Sequence, residues 1–234
     1  MRLRFFALAF LCLSPLAGAF GQADDQANDQ PDAPPPLHGK VEGQTYVSPT
    51  GAFSMSIPVL PELGGTVADT DNVVTFEDSF STHVSVAAFP EDATQRFEDE
   101  RRGRQDYLVY FFSNFVMPDF QKRSPGASVE QAVFRRDTED GALIVYTLLP
   151  GGSMFSDRVT LDGSPDPSLV AKRGNLLFVK NGYIFVISTE LAERVLEHST
   201  YHKTPAEEDA LLHTRLLDLL ARIQFTAPPG PGKK

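Results

Sequence analysis

The dipeptide Asn181-Gly182 constrains this chain more than any other feature. Asn and Gly both tolerate positive φ, the geometry of the two-residue turn that best matches the twist of paired strands. It separates Asn175–Lys180 from Tyr183–Thr189, two runs rich in β-branched and aromatic residues. Strands joined this tightly must lie side by side and antiparallel. The segment DTEDG divides Ala132–Arg136 from Ala142–Leu149 in the same way, so a second hairpin is expected there. Val73–Asp78 and His83–Phe89 flank a short polar link, and Asp157–Leu161 is a further candidate strand.

The stretch YVSPTGAFSMSIP, from Tyr46 to Pro58, holds several hydroxyl side chains and invites a catalytic reading. Its period argues otherwise. Phe53, Met55 and Ile57 alternate with Ser54 and Ser56, which places the serines on one face of a half-buried strand. Pro49-Thr50-Gly51 is turn chemistry. Tyr46–Ser48 and Phe53–Ile57 therefore read as two strands around a turn.

Helices are fewer. Thr204, Pro205 and Glu207 form a capping box with proline in the first turn, followed by a stripe of Leu212, Leu216, Leu219, Leu220 and Ile223. A second helix begins after Asp92. In one unbroken helix, Phe97, Leu108, Phe111, Phe112 and Phe115 share a face, but so do Arg101 and Arg104. Gly103 is where such a helix breaks, or else its first turns overhang the sheet. A short helix is expected around Leu191–His198. Strands, a helix, strands and a helix predict an α+β fold, a mostly antiparallel sheet with helices packed against it.

At this point the chain resembles the PsbP/Mog1-like domains. Tyr46, Gly51, Phe53 and Pro58 match their Tyr-x-x-x-x-Gly-x-Phe-x-x-x-x-Pro entry, and the late hairpin LLFVKNGYIFVIST before a C-terminal helix is similar too. The resemblance spans most of residues 44–225. It implies a sandwich fold and a non-enzymatic binding or accessory module, and it carries over no catalytic residue.

The chain opens with MRLRFFALAFLCLSPLAGAFGQA. Arg2 and Arg4 precede an apolar run, Phe5–Leu13, too short to span a bilayer. Pro15 and the small residues Ala17-Gly18-Ala19 follow. This predicts a cleaved signal peptide over 1–23, with cleavage after Ala19 or Ala23, and a periplasmic or secreted protein. Cys12, the only cysteine, lies inside the apolar run without the small-residue setting of a lipoprotein, so no lipid anchor is expected. Residues 24–39, acidic and proline-rich, are expected to form a disordered tether. A single domain follows over 40–226, then a flexible tail over 227–234. No integral membrane segment is expected after the leader. Losing Arg2 and Arg4 takes the formal charge from −10 to −12, which disfavours nucleic acid.

Candidate chemistry is thin. Gly151-Gly152-Ser153-Met154-Phe155 lacks the closing glycine of a nucleophile elbow. His198 and His202 have metal-ligand spacing, but Ser199 stands where a zinc protease carries Glu. Asp69-Thr70-Asp71-Asn72 lacks the glycine and terminal glutamate of a calcium loop and reads as a turn. Glu77 and Asp78 are adjacent on a strand, so they point to opposite faces. No catalytic, metal or cofactor site is predicted, and no cofactor. Tyr107, on the flank of the aromatic helix, and Tyr110, on its far side, are the candidate partner-binding residues. The expectation is a non-enzymatic exported binding or accessory module for an envelope protein or a small ligand. The alternative is a periplasmic hydrolase or metal-dependent enzyme, which a polar cluster in a deep pocket would favour.

Overall fold

A computed structural model describes residues 36–80, 82–153, 169–197 and 200–226. The leader, residues 24–35 of the tether, the candidate strand 157–161, His198 and the tail lie outside them. The fold is α+β. Among the described residues the larger sheet has the order β4-β5-β6-β10-β9-β8-β7, with every neighbouring pair antiparallel. Its strands are β4 (Thr66–Asp69), β5 (Val73–Glu77), β6 (His83–Pro90), β7 (Ser128–Arg135), β8 (Ala142–Pro150), β9 (Val170–Lys180) and β10 (Tyr183–Glu190). A smaller sheet runs β1 (Lys40–Glu42), β2 (Thr45–Val47), β3 (Phe53–Ser56) and β11 (Ile223–Phe225).

The Asn-Gly hairpin is present: Asn181 and Gly182 have φ of 53° and 77°, and Tyr183 pairs with Lys180 across the turn. The hairpin at 137–141 joins β7 to β8, with positive φ at Glu139, Asp140 and Gly141. β9 starts earlier than the sequence suggests, because it runs on through Lys172, Arg173 and Gly174.

Period-two alternation gives the larger sheet two apolar faces, each with its own cover. On one face lie Phe76, Val86, Ile144, Leu176, Phe178, Phe185 and Ile187. They pack against Tyr46, Phe53 and Met55 of the smaller sheet and Leu212, Leu216 and Leu219 of α5 (Pro205–Ala221). The capping box of α5 forms as expected: Thr204 N–H donates to Glu207 at 2.8 Å. Ile223 belongs to β11 rather than to the helical stripe, pairing with Met55. Gly174 sets how closely α5 approaches, since a Cβ there would stand 3.1 Å from Leu212 Cβ.

The other face carries Ala87, Leu143, Leu177, Ile184 and Val186 under the aromatic helix. That helix comes in pieces: α1 (Ala93–Arg102), α2 (Arg104–Phe111), a π-helical segment (Phe112–Val116) and α3 (Met117–Arg123). Gly103, with φ of 79°, makes the break, and α1 has no buried residue. Phe97 and Phe115 are therefore not core residues; they are 60% and 49% exposed. Phe97 overhangs with α1. Phe115 falls in the π-helical turn, whose wider winding rotates it away from the face set by Leu108 and Phe111. A short α4 (Ala192–Leu196) stands where a helix was expected.

Candidate functional site: a cleft over buried polar rows

The helix-side face of the larger sheet changes character along its strands. One row across it, Val73, Ala87, Val186, Leu177 and Leu143, is apolar. The next row is Thr75, Ser85, Ser188 and Asn175. The row after that contains Glu77 and His83 on β5 and β6, then Glu190, Arg173 and Thr147 on β10, β9 and β8. Ser85, Ser188, Asn175, Thr147, Glu190, His83 and Arg173 are all buried. Buried polar groups of this density are tolerable only when joined into a network.

The network is built around Arg173, 4% exposed. Its Nη1 donates to Glu190 Oε1 at 3.1 Å, and its Nη2 reaches across β10 to donate to Ser85 Oγ at 2.7 Å. The Phe120 ring lies 5.1 Å from the guanidinium carbon. Glu190 also accepts from Ser153 Oγ at 2.6 Å. Ser188 Oγ donates to Asn175 Oδ1 at 2.8 Å, and Asn175 Nδ2 donates to the Val145 carbonyl at 3.1 Å. Burial pushes the Arg173 guanidinium below its usual value, opposed by the Glu190 charge; Arg123 adds a repulsive push and Asp119 an attractive one.

α3 only partly roofs these rows. A cleft of about 670 Å³ remains between Phe115–Arg123 and strands β5, β6, β9 and β10. Its floor is half apolar, from Val73, Ala87, Phe89 and Val186, and half polar, from Ser85, Ser188 and Arg173. A smaller hollow of about 400 Å³ lies beside Arg194, Tyr201 and Glu208. Next to it Lys172 is fully buried, ion-paired to Glu130, to Asp209 at 2.6 Å and to Glu208 at 3.3 Å. Burial disfavours its charge, but hydrogen bonds to Asp209 and Glu130 win and hold the Lys172 amine above its usual value. It stays protonated and braces β9 against the start of α5.

Of the residues singled out in the sequence, Ser153 joins the network through Glu190 and Glu77 lines the cleft, while the others fall elsewhere. Tyr107 is not on a flank. It is fully buried, and its hydroxyl donates to Gln95 Oε1 at 3.1 Å, because the break at Gly103 lets α1 cover it. Tyr110 is half-buried beneath the Arg102 guanidinium at 4.2 Å, edge-on to Phe115 at 6.0 Å. Asp69 accepts from the His38 and Gly39 amides and from the Tyr46 hydroxyl, so the last residue of β4 latches residues 38–39. Asp78 accepts from the Phe80 and Thr82 amides, while Glu77 lines the cleft. His202 is exposed.

Sequence reasoning missed the polar rows. Ser85 is a single polar residue between valines, Asn175 stands at the start of an apolar run and Ser188 at the end of one, and none belongs to a motif. The signal that could have exposed them is their position in strands that the Asn-Gly hairpin makes neighbours, with Arg173 and Glu190 opposite each other at its far end.

Cleft and fold together define an α+β sandwich with a ligand-sized hollow. By sequence, the chain matches no family profile and no curated protein. By structure it is similar to the Ran-binding protein Mog1p of Saccharomyces cerevisiae, with 10% identity, 82% of this chain and 97% of that one covered, and a TM-score of 0.46. It is also similar to cyanobacterial PsbP (CyanoP) from Synechocystis, with 15% identity, coverage of 80% and 98%, and a TM-score of 0.47. A Bacteroides thetaiotaomicron protein aligns over 80% of this chain and 49% of its own, with 12% identity and a TM-score of 0.35. The PsbP/Mog1-like fold expected from the sequence is the fold of the first two, and the likeness is one of fold.

Proposed function

We infer that this chain is an exported, non-enzymatic binding module that holds a small amphipathic molecule in the cleft beneath α3. One observation carries this reading. A hollow of about 670 Å³, within the usual range for small-ligand sites, has an apolar half and a desolvated polar half on one rigid floor. Apolar surface supplies affinity and the few fixed polar groups set orientation. Tyr110 joins the site indirectly, as an edge-on support for Phe115 at the rim. The leader-like start supports export.

The test is a titration with N-phenyl-1-naphthylamine, an uncharged apolar dye that brightens out of water. The chain without its leader should bind it saturably at one site, and Phe115→Asp should weaken that binding with the thermal melt retained. A parent protein that gives no saturable signal overturns the reading.

The hydrolase alternative has one observation in its favour, the 2.6 Å hydrogen bond from Ser153 to Glu190. Against it, the buried Glu190 carboxylate is already engaged as the counter-ion of Arg173 at 3.1 Å. Hydrolysis of p-nitrophenyl acetate that disappears in Ser153→Ala would establish the hydrolase.

A further inference from the structure

We propose that the cleft selects amphiphiles with a carboxylate head, seated between Ser85 and Arg123, with the apolar body along Phe89, Val186 and Phe115. The proposal rests on the binding reading above and deepens it.

Three features point to an anionic head. The first is the direction of hydrogen bonding at the floor. Ser85 Oγ accepts from Arg173 at 2.7 Å, so its own O–H must be given elsewhere, and no described residue accepts it. A hydroxyl polarised by a buried guanidinium is a strengthened donor, suited to an acceptor-only group such as a carboxylate. The second is the rim. Lys122 and Arg123 are exposed at the cleft, and neither makes an ion pair among the described residues. The third is mutual repulsion. Arg123 acts on Arg173 as a like charge, so an anion between them relieves both.

Acidic groups also face the cleft, and their placement fixes the ligand's direction. Asp119 sits in the first turn of α3, while Lys122 and Arg123 sit in its last. Glu77 is on β5, at the side of the cleft away from β9, and accepts from Thr66 Oγ1 at 3.5 Å. Arg173 is offset by Glu190. The rim is thus polarised along α3, with its unpaired cations grouped at the C-terminal end. A head group of negative charge fits that end, and the apolar floor of Ala87, Phe89 and Val186 takes the remainder.

Displacement of bound N-phenyl-1-naphthylamine by dodecanoate and by 1-dodecanol, both below micelle-forming concentrations at low salt, is the test. The two competitors share a chain length and differ in head charge. The parent should favour dodecanoate by roughly five-fold, the scale of one rim charge, and added salt should erode that preference. Arg123→Gln and Ser85→Ala should each bring the ratio towards one, whereas Arg96→Gln, an equal loss of charge on α1, should not. Thermal melts establish that each variant is folded. A parent that binds the dye but takes dodecanol as well as dodecanoate overturns the carboxylate assignment and leaves the cleft reading standing. So does a preference that survives both Arg123→Gln and Ser85→Ala. A parent that binds no dye removes the cleft reading itself.

Discussion

Arg173 and Glu190 show how much one side chain can hold in place. Each is buried, and each is the other's counter-ion. Removing one partner of such a pair strips a buried charge of a direct counter-ion, at a cost of about 3–5 kcal/mol. Arg173→Met should therefore lower the denaturation midpoint sharply, and Arg173→Met combined with Glu190→Gln should recover part of the loss. A double variant no more stable than the single one would show that the pair is not coupled. Asp69 makes a pH-dependent contribution. Burial alone would raise its pKa, but the Gly39 and His38 amides and the Tyr46 hydroxyl hold the carboxyl below its ordinary 3.8. A carboxylate depressed in the folded state stabilises fully above its unfolded pKa and loses that contribution as pH falls through the lower folded value. The stability gap between the parent and Asp69→Ala should stay flat near neutrality and narrow as pH drops below about 3.8. Denaturant melts across that range are the check; a gap independent of pH contradicts the assignment.

Local chemistry was the readable part of the elements. The Asn181-Gly182 turn and the Thr204 capping box depend on backbone geometry within a few residues, and both stand where the sequence put them. Replacing Gly182, at φ 77°, with Val should cost about 1–3 kcal/mol in a thermal or denaturant melt. A melt equal to the parent's would exclude a strained turn. Gly174 tests a different kind of constraint, space rather than torsion. Its missing Cβ admits Leu212 and Leu216, so Gly174→Val should overpack the α5 contact by about 1–3 kcal/mol despite the better strand propensity of Val. The π-helical segment was not readable at all. Nothing in Phe112–Val116 marks a widened turn, and a plain helical projection placed Phe115 with Phe111 on the core face. In the structure the two rings do stack, at 5.0 Å, but Phe115 is turned to the cleft rim.

For the whole molecule, the α+β class followed from element order, because hairpins force antiparallel neighbours and amphipathic helices must cover a sheet. The site did not follow. Whether Ser85, Asn175 and Ser188 face water or protein depends on which strands become central and on what roofs them. Both are set by contacts distant in sequence, Ser85 with Arg173 above all. Tyr107 was misplaced for the same reason, since its cover comes from α1 folding back at Gly103. The export proposed above is open to a direct test. Intact-mass measurement on protein from the producing cell should give a chain beginning at Phe20 or Asp24. A mass that retains Met1–Ala19, or that carries a lipid, contradicts the leader reading.

β9 places two buried cations at consecutive residues. Lys172 faces the acidic cluster at the start of α5, and Arg173 faces the cleft. Neighbouring strand residues point to opposite sides, so a shift of one position would send each cation to the wrong side of the sheet. Lys172 would then arrive beneath the aromatic layer, and Arg173 would collide with α5. This segment should therefore keep its length fixed. Among descendants of this sequence, insertions and deletions should accumulate before Val170 and spare the span from there to the Asn-Gly turn.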